Sequence, residues 1–182
     1  MAALTSPPLS EHLPEETFQS ATSADGMPTI VVEPARLVDV CRRLRDEPAL
    51  RFIVCLDVTA ADHYPRSPRF DVVYHLTSPE RSLRLRIRVH TDGSEPPIPS
   101  VSGVWPSANW LEREVFDMFG IQFSGHPELR RLIMPEDWEG HPLRKDYPVQ
   151  VKLPVRTYEP LQLTEEEFRA NVAADKAERA RR

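Results

Sequence analysis

Alternation of apolar and polar residues predicts most of the strands in the chain. The clearest case is the segment 82–91, where leucine, isoleucine and valine alternate with three arginines and a histidine. This period of two predicts a strand with one face on the core and the other facing water or an acidic partner, and both readings of the basic face stay open. Similar patterns predict strands over 29–33, 50–59 and 69–77, and a short one within 98–105.

Helical spacing of apolar residues appears in two places. The first helix begins at Pro34 and ends before Pro48, with an apolar face formed by Leu37, Val40, Cys41 and Leu44. The second helix starts near Pro106, covers 110–119 and ends at Gly120, a residue suited to a left-handed C-cap. Strands and helices together predict an α+β fold: a two-layer domain with a mixed β-sheet packed against helices, followed by an extended C-terminal arm.

The pattern also divides the chain into four parts. Residues 1–28, rich in Ser, Thr, Pro and Glu, are predicted to form a disordered N-terminal tail, and residues 29–119 form the α+β domain. Residues 120–160 have little regular pattern, which predicts an extended arm ordered by contact with another subunit. Residues 161–182 form a C-terminal helix, whose start is indicated by a capping box of Thr164 and Glu167.

One acid lies in the apolar arc of the second helix. On a helical projection, Glu112 falls between Phe116 and Phe119, so its carboxylate must be paired, hydrogen-bonded or protonated. It either orders a loop by binding backbone N–H groups or an arginine, or it exchanges protons, and both readings stay open. The opposite face holds Arg113, Glu114 and Asp117, and the spacing of Arg113 and Asp117 predicts a surface salt bridge between them.

Composition excludes several classes of protein. The chain has 182 residues and a net charge of −5, which argues against a nucleic-acid binder. It has no apolar run long enough to span a bilayer and no secretory signal at its start. Cys41 and Cys55 are predicted to be free and buried, and no phosphate-binding glycine loop or cysteine cluster is present. His126 and His141 are too isolated to suggest a metal site, so we expect structural roles for them.

The segment 112–133 resembles the signature of a known family. The signature is Glu-Arg-Glu, two residues, an acid, two apolar residues, six residues, His or Lys, three residues, Arg, one residue and two apolar residues. This chain fills every position of it, and PEDWEGHPLRKDYP after it is also typical of the family. The family is the thirty-kilodalton subunit of the proton-pumping NADH–quinone oxidoreductase (respiratory complex I). The matching residues are Glu112, Arg113, Glu114, Asp117, Met118, Phe119, His126, Arg130, Leu132 and Ile133.

The resemblance implies an assembly role in an enzyme complex. Members of this family are non-catalytic subunits of the peripheral arm, on the cytoplasmic side of the cell membrane, beside the large hydrogenase-like subunit and the quinone module. They support electron transfer from NADH to quinone coupled to proton translocation. The resemblance implies no cofactor in this chain, with flavin and iron–sulfur clusters in partner subunits, and membrane association only through the complex. Two alternatives remain: a related complex with another electron donor (a photosynthetic-type quinone oxidoreductase or membrane-bound hydrogenase), and a stand-alone carboxylate-based enzyme.

The candidate site residues are accordingly interaction or ordering residues. No catalytic, cofactor-binding or metal-binding residue is predicted in the chain. The stand-alone enzyme reading is weakened because Glu112 and Glu114, two apart on a helix, point in roughly opposite directions. The residues predicted to take part in interaction or ordering are Glu112, Arg113, Glu114, Asp117, His126, Arg130, Arg144, Lys145 and Asp146.

Overall fold

A computed structural model describes residues 9–21, 23–93, 95–148 and 164–179. The chain divides into two compact units, Met1–Pro148 and Val149–Arg182. The first unit contains almost all of the secondary structure and is built around one five-stranded sheet. The second unit contains a single helix in its described part.

The sheet of the first unit is mixed, as predicted. Its strand order is β1-β2-β5-β4-β3, with only the β2–β5 pair parallel. The long antiparallel ladder of β4 and β5 pairs nine residues on each strand without a shift, because both strands alternate regularly. The strands are β1 (Gln19–Ala21), β2 (Thr29–Val31), β3 (Val54–Asp62), β4 (Phe70–Ser78) and β5 (Leu83–Thr91).

Two helices contribute their apolar sides to the same core as the inward side chains of the strands. Helix α2 (Leu37–Asp46) follows a 3₁₀ turn at Pro34–Arg36, and helix α3 (Ala108–Phe119) contacts β3. The apolar residues predicted on the face of α2 are all buried, and so are Cys41 and Cys55 as free thiols. The structure confirms the predicted two-layer α+β fold, with a mixed sheet packed against helices.

Strand β3 departs from the predicted register. The sequence pattern over 50–59 places Leu56 with the core residues, yet Leu56 is 55% exposed. A bulge between Cys55 and Asp57 shifts the pairing with β4, which turns Leu56 outward and keeps Val58 inside. Leu50 and Phe52 are buried before the strand begins, where Phe52 donates its N–H to the carbonyl of Leu44 at the end of α2.

The N-terminal region is more ordered than its composition indicates. The prediction of a disordered tail over 1–28 is wrong for residues 9–21 and 23–28. Here α1 (Leu9–His12) buries Leu9, the residue Leu13 directly after it is also buried, and β1 adds an antiparallel edge strand to β2. A few apolar residues of this segment, including Phe18, pack against the core. The burial of their side chains stabilises the segment although its composition is mostly polar.

The predicted extended arm of residues 120–160 is also different in its first part. Residues 120–148 fold onto the domain: Ile121 and Phe123 are buried, and β7 (Phe123–Ser124) pairs in parallel with β6 (Ile98–Pro99). The described part of this arm is therefore ordered by contacts within its own chain. Residues 149–160 of the predicted arm lie outside the described residues.

The second unit contains helix α4 (Glu165–Arg179). Its start has the predicted capping box, since the Thr164 hydroxyl accepts the Glu167 N–H at 3.3 Å and the Glu167 carboxylate accepts the Thr164 N–H at 2.9 Å. The side chain of Phe168 is exposed. Among the helices that the structure describes in both units, none combines the length and apolar character that a bilayer crossing requires.

Candidate functional site

Asp117 connects helix α3 to the segment that follows it. We call residues 125–148 the wrap segment, because they run along the outer side of α3. One Asp117 oxygen, Oδ1, accepts a hydrogen bond from Nη1 of Arg131 at 2.7 Å. The other oxygen accepts three successive backbone N–H groups, those of Leu132, Ile133 and Met134, at 3.0, 2.8 and 2.8 Å. A single side chain therefore fixes the path of the backbone over residues 131–134.

This arrangement keeps Asp117 ionised. Burial alone would raise the pKa of its carboxyl, but the N–H groups of Met134 and Ile133, the Arg131 guanidinium and the Leu132 N–H together lower it below its ordinary value. The side chain is fully buried, so removal of the carboxylate would leave these donors without an acceptor. Asp117 is therefore an ordering residue for the wrap segment.

The C-terminal end of α3 is capped by the same segment. Gly120 ends the helix with φ +73° and donates its N–H to the carbonyl of Phe116. The next three carbonyls accept from the wrap segment: Asp117 from the His141 ring at 2.9 Å, Met118 from the Leu143 N–H at 3.1 Å, and Phe119 from Arg144 Nε at 2.5 Å. The last turn of a helix normally leaves such groups unpaired, so these contacts fix residues 141–144 against the helix end.

Asp62 at the end of β3 attaches the far part of the wrap segment to the sheet. Its carboxylate accepts two bonds from Arg69, at 2.9 and 2.7 Å, and the backbone N–H of Lys145 at 2.8 Å. Arg69 also binds the carboxylate of Asp146, at 3.1 and 2.5 Å. The Arg69 bonds, with help from the N–H groups, lower the pKa of Asp62. Lys145 and Asp146 thus lie where the segment meets the sheet.

Arg113 does not form the predicted salt bridge with Asp117. It is buried, its guanidinium lies 4.8 Å from the centre of the Trp110 ring, and it donates to the backbone carbonyls of Arg130 and Arg131 at 3.2 Å each. The sequence prediction treats this side of α3 as surface, which holds for Glu114 but is wrong for Arg113 and Asp117, because both are buried. Arg113 holds the carbonyls of residues 130–131, and Asp117 holds the N–H groups that follow them.

Glu112 points into the apolar side of α3, as predicted. It is fully buried and accepts the Val101 N–H on Oε1 at 2.7 Å and the Ser100 hydroxyl on Oε2 at 2.5 Å. Glu112 therefore accepts a backbone N–H of the loop at residues 100–103, which is the geometry that the loop-ordering reading expects. Burial raises the pKa of Glu112 to about 7, and the bonds from Ser100 and Val101 only reduce that shift.

His126 completes the surroundings of Glu112. Its Nε2 lies 3.9 Å from the Glu112 carboxylate and donates to the Asn109 carbonyl at 3.0 Å, while Nδ1 accepts the Glu128 N–H at 3.0 Å. Both ring nitrogens therefore have backbone partners. The His126 side chain is therefore buried and hydrogen-bonded, and its structural role stays a prediction.

The remaining predicted residues lie at the surface. Glu114 is exposed and makes no hydrogen bond or ion pair with any residue that the structure describes. Arg130 forms an exposed ion pair with Glu128 at 2.8 Å, and only its backbone carbonyl contacts Arg113. Sequence reasoning missed Asp62, Arg69 and Arg131, because their partners are distant along the chain and no local spacing indicates them.

A second charged cluster covers the side of the sheet that faces away from the helices, which we call the open face. Arg86 binds Asp25 at 2.6 Å and donates to His75 at 3.0 Å. Asp71 contacts Arg88, His90 and His63. The arginines predicted to face water or an acidic partner are thus largely paired with acids of their own chain, and Arg84 is exposed.

Large apolar side chains remain exposed beside the ordered wrap segment. Trp110, Ile133 and Leu143 are 59%, 57% and 54% exposed. Trp110 also lines a groove of about 630 Å³, together with Ser102, Gly103, Pro106, Asn109, Gly125 and Pro127. A rigid backbone that presents exposed apolar side chains suits binding to another protein. In the described ranges no group of three or more His, Cys, Asp or Glu residues has the geometry to hold a metal ion.

Comparisons of sequence agree with this geometry. The family model described as "Respiratory-chain NADH dehydrogenase, 30 Kd subunit" matches residues 30–152. An NADH-quinone oxidoreductase subunit of Roseiflexus sp. (strain RS-1) is 50% identical over 137 residues, covering 75% of this chain and 78% of that protein. The same subunit from Mesorhizobium japonicum is 45% identical over 169 residues, covering 87% and 84%.

Two solved structures have related folds. The trypsin-resistant fragment of Nqo5 superposes with a TM-score of 0.56 and 32% identity, over 66% of this chain and 96% of that one. A chain of the archaeal membrane-bound sulfane sulfur reductase superposes with a TM-score of 0.64 and 23% identity, over 78% and 81%. The second likeness concerns the fold alone.

Proposed function

Because the chain belongs to the family of the 30 kDa subunit of respiratory-chain NADH dehydrogenase, we propose that it serves the complex by docking, through the outer side of α3 and the wrap segment. It is a peripheral subunit of NADH–quinone oxidoreductase and assembles with other subunits of that complex. The family assignment favours this function over a related complex with another electron donor and over a stand-alone enzyme.

The observation that supports the proposal is the contrast between order and exposure in the wrap segment. Its backbone is fixed at residues 131–134, 141–144 and 145 by buried partners. Within these fixed stretches, Ile133 and Leu143 expose more than half of their side chains. Burying apolar side chains from a fixed backbone loses little conformational entropy on binding, which makes such residues effective anchors in an interface.

We propose the large hydrogenase-like subunit of the complex as the partner of this surface, and the cytoplasmic side of the membrane as the location. The charged residues Glu114 and Arg130 would then lie at the rim of the interface, where they set orientation more than affinity. Electron transfer would use flavin and iron–sulfur clusters of other subunits, with no catalytic residue from this chain. Glu112, Arg113 and Asp117 would contribute indirectly, by keeping the docking surface in shape.

The proposal is tested by placing a charge on the exposed apolar surface. The variant Leu143→Asp, produced in the host of the complex, is expected to fold normally but to lose at least about tenfold in affinity, since a buried unpaired charge opposes association. Two measurements detect this loss of affinity. They are the co-purification of the hydrogenase-like subunit with the tagged chain from membranes, and the NADH–quinone activity of those membranes.

Leu56→Asp is the matched control, because Leu56 is 55% exposed and lies on β3. It should leave co-purification and activity unchanged. Equal retention of the hydrogenase-like subunit by the two variants would contradict docking through the wrap segment. Loss of other subunits while the hydrogenase-like subunit is retained would contradict the choice of partner.

A further inference from the structure

Two serine hydroxyls connect the buried carboxylate of Glu112 to the groove beside Trp110. The Ser100 hydroxyl is 2.5 Å from Oε2 of Glu112 and 2.7 Å from the Ser102 hydroxyl. Ser102 is partly exposed and lines the groove, whereas Glu112 is fully buried. The backbone N–H of Ser102 also donates to Ser100 Oγ at 3.1 Å, which holds the two serines together. A continuous row of hydrogen-bonding groups therefore runs from the surface to a carboxylate in the core.

We propose that Glu112 is a proton-exchange site, connected to solvent through Ser100 and Ser102, whose protonation state controls the loop of residues 100–103. This proposal goes beyond the docking function proposed above. Nothing in that function requires Glu112 to titrate.

The hydrogen bonds in the two states balance. In the ionised state, Glu112 accepts from the Ser100 hydroxyl and the Val101 N–H. When one proton arrives from the solvent at Ser102, the Ser102 and Ser100 hydroxyls each pass on one hydrogen, and Oε2 becomes an O–H that donates to Ser100 Oγ. Each serine keeps one hydrogen, so the row reverses its direction without breaking.

Among the titratable groups in this part of the core, Glu112 is the one most suited to change charge near neutral pH. Cys41 from α2, Cys55 from β3 and Tyr74 from β4 share the core with it, and burial together with the charge of Glu112 raises the pKa of each. His126, from the wrap segment, approaches to 3.9 Å, but both of its ring nitrogens have other partners. On α3 itself, Arg113 binds the wrap segment and Glu114 faces outward. No described lysine or arginine pairs with Glu112 to keep it ionised.

The loop is coupled to the carboxylate because it supplies both donors. The ionised form binds the Val101 N–H strongly, and the neutral form binds it weakly. Ser102 and Gly103 form part of the groove wall, so a change at Val101 alters the surface next to Trp110. Protonation of Glu112 is therefore expected to loosen this wall.

The full 182-residue chain allows a direct test by infrared or ¹³C NMR observation of the Glu112 carboxyl between about pH 5 and about pH 9. The signal is assigned by its absence in Glu112→Gln. We expect a midpoint near neutral pH, and in Ser100→Ala a midpoint about one pH unit higher, because a donor to the ionised form is removed. A carboxyl that stays ionised, or stays protonated, throughout this range would overturn the proposal.

The route of the proton is tested by pH-jump relaxation of the same signal. Wild type should relax faster than it unfolds, and Ser102→Ala should lose this fast phase while keeping the midpoint. Ser107→Ala is the control, since Ser107 donates to the Cys55 carbonyl and lies outside the row. Relaxation that occurs only with global unfolding, or that is the same in Ser102→Ala, would show that the hydroxyls are not the route.

Discussion

Helix α3 and the open face of the sheet are both surrounded by acids, arginines and histidines, but they use these residues differently. On α3, the carboxylates of Glu112 and Asp117 are buried, and most of their partners are backbone N–H groups. On the open face, Asp25 is half exposed and binds Arg86, and the buried Asp71 binds side chains that are partly exposed. The first arrangement fixes the path of the chain, and the second joins side chains across strands that the ladder already holds.

The difference concerns what is left unpaired when a residue is removed. Loss of a buried acceptor leaves its backbone donors without a partner, which is a large penalty. Loss of one partner of an exposed ion pair returns the other partner to water at little cost. The charges of α3 should therefore determine the structure of the wrap segment and of the loop at residues 100–103, while a partly exposed pair such as Asp25–Arg86 should matter mainly for solubility and surface potential.

The largest expected effect comes from Asp117→Ala. The variant loses the acceptor of three N–H groups and the partner of Arg131, so we expect unfolding to become easier by about 3–5 kcal/mol. Urea unfolding of the full chain measures this, and amide exchange should show loss of protection at residues 132–134. A loss below about 1 kcal/mol would mean that the wrap segment does not depend on this carboxylate.

The second largest expected effect is a dependence of folding stability on pH, which comes from Glu112. Its folded pKa of about 7 is above the ordinary value of 4.5, so the folded state keeps a proton that the unfolded state loses. The stability contributed by this group is fully present below about pH 4.5 and is lost as pH rises to about 7, by up to about 3 kcal/mol.

The measurement is the difference in unfolding free energy between wild type and Glu112→Gln across this range. The subtraction matters because His141, whose pKa burial lowers, changes stability in the opposite direction as pH falls. Glu114→Gln, at an exposed carboxylate of the same helix, should give a flat difference. A flat difference for Glu112→Gln as well would show that burial does not shift its pKa.

The close approach of the wrap segment to the helix end is tested by a pair of glycines. Gly120 and Gly125 have nearly equal φ values of +73° and +74°, but an added Cβ at Gly120 would lie 2.5 Å from Cδ2 of the His141 ring, and one at Gly125 would meet nothing within 4 Å. We expect Gly125→Ala to cost about 1 kcal/mol from its backbone conformation, and Gly120→Ala to cost about 2–3 kcal/mol. Thermal unfolding compares them, and equal costs would contradict the close packing of His141.

The features that the sequence predicts depend on local periodicity, and the features that it misses depend on contacts between residues far apart in the chain. The fold class, the long strands β4 and β5, and the inward direction of Glu112 depend on local periodicity, and the structure confirms them. The sequence did not reveal that the wrap segment is ordered by its own chain, because its anchors join residues 14 to 83 positions apart. Short-range spacing predicted an Arg113–Asp117 pair, but the long-range acceptors at residues 130 and 131 and the donors at residues 132–134 compete successfully for both side chains.

The smallest expected effect is that of Asp25→Asn on the open face, and it tests the comparison from the other side. Asp25 binds Arg86, and this bond, followed by those from Ser23 and Met27, lowers the pKa of Asp25. Both partners keep access to water, and the strands around them remain paired without the bond. We therefore expect no measurable change in urea unfolding at neutral pH, with or without added salt. A loss approaching that of Asp117→Ala would mean that side-chain networks on the sheet order the chain as strongly as buried carboxylates do, and the distinction between the two regions would then have no energetic basis.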